Sequence, residues 1–489
     1  MAPLMKVAFS RKNLWERSPR LLRASFGSLL GLLPQSLLLG RHFREHLALV
    51  ESSQRWDENR IREYQTVRLR QLAAHAVSAP YWRRVFRDAC LDPARLTLDD
   101  LGRLPRLTRD AVRDHGADMC TSSIERRDVD YVATSGSTGA PVAFYIGADR
   151  SPLEYSYLVA GWKRAGYELG MPLVVFRGRP IAPDRAGLRH EYDPVLRYHS
   201  YSVYHTTDAD MARYVAHIRT VGGCYVLGYP SAIYALARHL HRTKTPAPLN
   251  IRGIFAESET FYDAQRAFVE EVFGCRAWSA YGQTEKVVAA TECEDSSRLH
   301  VWPTYGICEL LDEQGAPITT PGRRGEIVGT SFLNTFMPFI RYRTGDCATL
   351  SAHRCSCCGR NHLLLDQVRG HRLQEMLVAG DGTLIPWTAV NMHDDTFAHV
   401  LRFQFRQHEP GVAILRIVPD PHFTILDQRR IAARLRHRLS ERLQVRIELA
   451  GSVPLTANGK AVYVDQQVPD IDRFEPDDDE SLGEWTAVR

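Results

Sequence analysis

Three features of this chain combine residue types and spacing that can do chemistry. The first is Thr134-Ser-Gly-Ser-Thr-Gly139, set between Tyr131-Val-Ala and Pro141-Val-Ala-Phe-Tyr145. Gly136 and Gly139 let the backbone approach a ligand closely and turn with positive φ. Thr134, Ser135, Ser137 and Thr138 supply hydroxyls that donate to anionic oxygens, and successive N–H groups in such a loop form an anion-binding nest. A polar hairpin turn is the plain alternative, since Gly and Ser are common there. The loop is not a Walker A sequence: no Gly-Lys-Ser/Thr follows, and Ala140 stands where a lysine would. The second feature is Cys347, Cys355, Cys357 and Cys358, with His353 and His362 close by. Thiolates and imidazoles in a short loop suit tetrahedral Zn²⁺. The spacing is not a double Cys-x-x-Cys, and the adjacent Cys357 and Cys358 do not easily share one ion. Structural zinc and free, reduced cysteines both fit. The third is Lys460, which follows the turn pair Asn458-Gly459 and so carries a compact positive charge at a loop tip. A solvated lysine is its ordinary reading.

These features need a scaffold. A chain of 489 residues exceeds the size at which one hydrophobic core stops growing, so two or more domains are expected. Its 44% hydrophobic and 24% charged content is that of an ordinary globular protein. A net charge of +5 is too slight to argue for nucleic acid. Ten cysteines in this length are no disulfide scaffold, and no apolar run reaches the about 20 residues of a transmembrane helix. Lys6, Arg11, Lys12, Arg17, Arg20 and Arg23 precede a Leu-rich stretch, Leu29 to Leu39, interrupted at Pro34. A secretory signal fits poorly. Two readings stand: a segment lying on a membrane surface or partner protein, and a helix packed on the main domain.

Ile61, Tyr64, Val67, Leu69, Leu72 and Val77 recur at helical spacing up to Ala79-Pro80. Thr108 is placed to cap a helix, and the apolar runs flanking Thr134–Gly139 read as two strands. Strand candidates at 172–176, 223–227, 252–256 and 277–280 alternate with helices at 231–240 and 262–273, which predicts an α/β architecture with parallel pairing. Around 306–345 short strands and turns predict a β-rich subdomain. Strands at 402–406, 413–418 and 446–449 around a helix Ile425–Leu443 predict a small α+β domain. The tail from Pro476 is acidic.

Four ordered stretches resemble the adenylate-forming superfamily of acyl-CoA synthetases, peptide-synthetase adenylation domains and luciferases. They are Thr134–Gly139, Ala280-Tyr-Gly-Gln-Thr-Glu285, Arg341-Tyr-Arg-Thr-Gly-Asp346 and Pro454-Leu-Thr-Ala-Asn-Gly-Lys460. Gly228-Tyr-Pro-Ser231, Ala256-Glu-Ser-Glu259 and Cys357-Cys-Gly-Arg360 are similar to the phenylacetate–CoA ligase branch and its capsule-biosynthesis (CapK-like) relatives. The resemblance runs from Gln65 to Val464. It implies a large α/β domain with a β-rich subdomain and a small, mobile α+β domain, divided here as an extension 1–50, a large domain 51–371, a small domain 372–470 and a tail 471–489. It implies ATP with Mg²⁺, an acyl-adenylate intermediate, and transfer to CoA, an amine or a hydroxyl. Thr134, Ser135, Gly136, Ser137, Thr138, Gly139, Ser258, Glu259, Tyr281, Gly282, Gln283, Thr284, Asp346 and Arg372 fall at nucleotide-binding positions. Within that set Tyr281 offers a flat face to adenine and Asp346 accepts ribose hydroxyls. Glu285 falls at the Mg²⁺ position, for which oxygen ligands are suited, Lys460 at the catalytic lysine, and Gln374 at the hinge, where His371 replaces the usual Gly. Zinc occurs in this region in some relatives. A nucleotide-binding scaffold that has lost turnover is the alternative, favoured by Ala140. A small carboxylic acid and ATP are the expected partners, with a cytoplasmic location, peripheral membrane contact through the N-terminal segment, and a homodimer among the expectations.

Overall fold

The computed structural model describes residues 33–122, 129–133, 142–147, 150–177, 181–203, 208–258, 261, 263–369, 376–387, 396, 399–419, 422–439, 442–453 and 464–469. Helices open it, among them α1 (Gly40–Ser53), α2 (Glu58–Ala76), α3 (Pro80–Asp88) and α4 (Arg109–His115). The Asp57 carboxylate accepts from Arg60 N–H at 2.8 Å and caps α2. Pro80 ends the α2 pattern and at the same time starts α3, where its missing N–H costs nothing. Thr108 Oγ1 accepts from Ala111 N–H at 3.1 Å, the expected cap of α4. The hairpin β1 (Val129–Ala133) and β2 (Ala143–Gly147) pairs Tyr131 with Tyr145 and Ala133 with Ala143, so the two flanking strands are as expected. The loop Thr134–Gly139 between them lies outside the described residues.

The α/β alternation follows: α5 (Arg150–Trp162), β3 (Leu173–Arg177), β4 (His190–Asp193), β5 (Tyr198–Ser202), α6 (Asp208–Ile218), β6 (Cys224–Gly228), α7 (Pro230–Arg242), β7 (Ile251–Glu257), α8 (Asp263–Phe273) and β8 (Ala277–Gly282). Strands β5, β3, β6, β7 and β8 are parallel neighbours. Their side chains alternate between two cores with the period of 2 that a strand imposes. Val174, Phe176, Val226, Ile254 and Ala256 pack under α6, α7 and α8. Leu173, Val175, Tyr225, Leu227 and Phe255 pack on the other face with Trp162 of α5. Covering both faces is what a parallel sheet requires.

Strands β9 (Ala289–Glu292), β10 (Leu299–Val301), β11 (Gly306–Leu311), β12 (Arg324–Ser331), β13 (Tyr342–Ala352) and β14 (Leu364–Arg369) continue antiparallel. The expected β-rich subdomain is therefore hydrogen-bonded to the α/β part in one twelve-stranded sheet, ordered β11-β12-β13-β14-β10-β9-β8-β7-β6-β3-β5-β4. A pair β15 (Met376–Val378) and β16 (Leu384–Pro386) leads into β17 (Val400–Glu409), β18 (Val412–Pro419), α9 (Ile425–Leu439), β19 (Gln444–Leu449) and β20 (Val464–Gln466). Here α9 buries Ile431, Leu435 and Leu439 against Phe403, Phe405, Leu415 and Ile417 of a four-stranded sheet. The architecture is mixed α/β with a C-terminal α+β region. No helix of the described residues is long and apolar enough to cross a membrane.

Part of the N-terminal extension lies among the described residues. Phe43 of α1 packs with Tyr155, Val159 and Trp162, and Val50 packs with Tyr157 and Trp302. Over residues 40–50 the apolar face is thus spent on the main body rather than on a membrane. Residues 1–32 lie outside the described residues.

Candidate active site and a cysteine-rich centre

Ligands of open α/β sheets sit beyond the carboxyl ends of the parallel strands. There β8 ends on Tyr281 and Gly282, β7 on Glu257 with Ser258 following it, and β6 on Gly228. A Cβ on Gly228 would lie 2.6 Å from the Phe176 carbonyl oxygen, so only glycine lets β6 sit this close to β3. Glu257, which sequence reasoning passed over, is paired with Arg177 on β3. Ser258 has φ +73°, a conformation that side chains avoid. Lys286 and Arg341 share it at +58° and +52°. Backbone strain of this kind gathers at functional sites.

Two hydrogen bonds join the β8 turn to β13. Tyr281 Oη donates to Asp346 Oδ2 at 2.8 Å. Tyr342 Oη donates to Glu285 Oε1 at 2.8 Å, with Glu285 only 4% exposed. Burial and the adjacent Asp346 carboxylate hold the Tyr281 phenol well above its ordinary pKa, which keeps it a donor. Gly345 at φ +77° makes the turn that aims Asp346, and Asp346 N–H donates to Thr344 Oγ1 at 3.0 Å. Gln283 Oε1 accepts from Val288 N–H at 3.1 Å and closes the β8–β9 turn that carries Glu285. Gly282 is exposed and Thr284 half-buried in that turn.

Arg109 is a further member of the cluster. Leu107 bridges to Tyr342 in parallel register, and Arg109 donates to the Thr344 carbonyl at 3.1 Å. Burial works against its charge, yet Tyr342, Glu285 and Asp346 raise its pKa above the ordinary value. No motif marked Arg109; the start of a helix was all its neighbourhood announced. Arg341, by contrast, is structural: its guanidinium grips both Glu309 oxygens at 2.8 and 3.0 Å and the Leu104 carbonyl at 2.6 Å. Of the other expected site residues, Thr134, Ser135, Gly136, Ser137, Thr138, Gly139, Glu259, Arg372, Gln374 and Lys460 lie outside the described residues.

The cysteine cluster takes a different membership from the expected one. Sγ of Cys293, Cys355 and Cys358 and a ring nitrogen of His300 all lie within 4.8 Å of one another. Cys347 sits in β13 opposite Glu326 and Cys357 is exposed, so neither belongs to the group. His353 instead faces the Thr319 carbonyl at 3.3 Å. Cys293 follows β9, His300 is in β10, and the pairs Cys293–Cys355 and Cys358–His300 are 3.9 and 3.7 Å apart. Tetrahedral Zn²⁺ with bonds of about 2.3 Å to S and 2.0 Å to N places such atoms about 3.6–3.8 Å apart. The donor set and its spacing fit that ion. Burial, then Arg164 and Arg360, push the His300 imidazole down to about 3, which leaves it neutral. Burial pushes the Cys293 thiol up to about 12. At Cys358 burial is outweighed by the N–H and guanidinium of Arg360, and the thiol falls below its ordinary value. Arg360 is in turn held by both Glu294 oxygens at 2.5 and 2.6 Å.

Comparison with known proteins follows this geometry. Residues 380–467 match the family model "CapK C-terminal domain". The chain is 27% identical over 328 residues to a phenylacetate-coenzyme A ligase of Thermus thermophilus, covering 65% of this chain and 72% of that one. It is 23% identical over 275 residues to Protein CapK of Staphylococcus aureus, covering 56% and 59%. Among solved structures, 2-hydroxyisobutyryl-CoA ligase in complex with 2-HIB-AMP and CoA superposes with a TM-score of 0.53 at 20% identity, over 86% of this chain and 92% of that one. Fold and relatives together define an adenylate-forming ligase. Within that class the chain is similar to the phenylacetate–CoA ligases and CapK.

Proposed function

We propose that the protein activates a small carboxylic acid with ATP and passes the acyl group to CoA or to an amine or hydroxyl acceptor. The observation that carries this is the tie at the sheet's carboxyl edge of Tyr281 to Asp346 and of Glu285 to Tyr342, two 2.8 Å hydrogen bonds between the β8 turn and β13. In this reading a carboxylate oxygen attacks the α-phosphorus of ATP, the bond to the β-phosphate bridging oxygen breaks, and pyrophosphate leaves. The acceptor thiol, amine or hydroxyl then attacks the acyl carbon, loses its proton, and AMP leaves. Tyr281 offers its ring face to adenine, and Asp346, positioned by the Tyr281 hydroxyl, accepts from ribose. Thr134–Gly139 and their backbone N–H groups hold the β- and γ-phosphates. Glu285, with Tyr342 and Arg109 beside it, would hold Mg²⁺ through a carboxylate oxygen. A bound Mg²⁺ supplies charge neutralisation on the phosphates. Lys460 supplies the positive charge where carboxylate meets α-phosphate.

Pyrophosphate release with a panel of carboxylic acids tests this. Some acid should give release, and Lys460→Ala should lower it by about 100-fold or more. Release from no acid above that variant sinks the enzyme reading and leaves the nucleotide-binding scaffold that Ala140 suggests. Once an acid is found, CoA, amines and alcohols are compared as acceptors by mass spectrometry of the product.

We also propose that Cys293, His300, Cys355 and Cys358 hold a structural Zn²⁺. Supplied there, it would clamp the β9–β10 connection to the β13–β14 loop. The zinc content of the purified protein is expected to fall by one equivalent in Cys355→Ser; a metal-free wild type of full stability would remove the proposal.

A further inference from the structure

At the opposite edge of the large sheet lies a second group of nitrogen ligands. In the β4–β5 hairpin His190 pairs with Tyr201 and Tyr192 with His199, so His190 and His199 are diagonal neighbours on one face. The last turn of α6 brings His217 over that face. One ring nitrogen from each of the three lies within 4.8 Å of the others. His190 Nε2 and His199 Nδ1 are 3.2 Å apart, close to the roughly 3.3 Å between two imidazole nitrogens bound to one tetrahedral ion at about 2.05 Å. The His190 and His217 ring centres are 4.3 Å apart. His217 Nδ1 is engaged by Tyr201 Oη at 2.7 Å, and Tyr201 is fully buried, so the ring is held in place and Nε2 is the nitrogen left as a ligand. A hydrogen bond on the far nitrogen is what orients a metal-bound histidine. Asp184, whose carboxylate acts on His190 and His217, spends Oδ1 on the N–H groups of Ala186 and Leu188.

We propose that His190, His199 and His217 form a second metal site, separate from the cysteine-rich centre, for a divalent transition-metal ion that prefers imidazole. Three nitrogen donors select Zn²⁺, Cu²⁺, Ni²⁺ or Co²⁺ over Mg²⁺ or Ca²⁺. They leave a fourth position open to water or an outside ligand. The ion joins the edge hairpin β4–β5 to α6, two elements that otherwise meet through side-chain packing and the Tyr201–His217 and Tyr214–Ser202 hydrogen bonds.

The test uses untagged full-length protein stripped with chelator and titrated with Co²⁺ or Cu²⁺. A Cys355→Ser background empties the other centre, so the fate of the cysteine site does not decide this one. In that background one equivalent of metal should survive desalting, and Cu²⁺ should show nitrogen splitting in its paramagnetic resonance spectrum. His199→Ala and His217→Ala should each lose that equivalent, and Tyr201→Phe should weaken it about tenfold. No retained equivalent, no nitrogen splitting, or undiminished binding in His199→Ala overturns the proposal. The splitting is read without any histidine variant, so a variant that fails to fold does not shelter it.

Discussion

The Tyr281–Asp346 hydrogen bond spans 65 residues of sequence, and the proposed ribose contact depends on it, because it fixes which way the Asp346 carboxylate faces. Hydrogen bonds to charged groups contribute about 1.5–3 kcal/mol. Tyr281→Phe should therefore weaken ATP binding at least about tenfold while keeping the aromatic face. Calorimetric titration with a non-hydrolysable ATP analogue reads it; unchanged affinity would separate Asp346 from the nucleotide. Tyr281, Glu285 and Asp346 were legible in the sequence because each ends a motif of distinctive types. Arg109 was not, since only the bridge between Leu107 and Tyr342 delivers it to the cluster. Cys293 and His300 were hidden for the same reason. They lie about sixty residues from their partners, and strand pairing of β9, β10 and β14 unites what spacing along the chain separates.

Among the elements, α1 carries a titratable contact. Ser156 Oγ donates to the Leu153 carbonyl at 2.6 Å, so toward His46 it accepts, and His46 Nδ1 donates to it at 2.7 Å. Burial, then the charge of Arg68, lowers His46 from 6.5 to about 4. The folded state thus favours the neutral ring. The stability it contributes is complete above pH 6.5 and is lost as pH falls from 6.5 toward 4. Hydrogen exchange in residues 40–53 should accelerate relative to α5 between pH 7 and 5, and His46→Gln should flatten that difference. Exchange that moves equally in wild type and variant would assign the acid sensitivity elsewhere. The alternation of strands and helices was readable from apolar periodicity, whereas the union of the α/β and β-rich parts in one sheet was not. Nothing local in β9, β10 or β14 records which strand lies beside it. A second element-level outcome concerns zinc. Cys355→Ser should lower the thermal midpoint by several degrees and leave ATP affinity, measured with Mg²⁺ present, nearly unchanged, since Cys293 and His300 lie on β9 and β10 away from the carboxyl edge. Loss of ATP affinity without loss of stability would contradict a structural role.

For the molecule as a whole, the C-terminal region meets helix α6 through Arg442. Arg442, at the start of β19, lies 3.8 Å from Asp381 and close to Asp210 and Tyr214 of α6. Burial, opposed by Asp381 and Asp210, lowers the pKa of its guanidinium. Val203, just after β5, packs against the C-terminal core in the same place. If the chain turns at the proposed hinge residue Gln374 between adenylation and transfer, the Arg442–α6 contact is expected in one of the two states and not in the other. A contact present in only one state biases the equilibrium by its own free energy and no more. Arg442→Ala should therefore change the ratio of the two half-reactions, pyrophosphate release against product formation from preformed acyl-adenylate, by about fivefold, the effect of roughly 1 kcal/mol. Single-turnover measurement of each half-reaction reads this directly. Equal slowing of both would mean that Arg442 merely supports the fold, because a residue that stabilises both arrangements alike cannot favour either.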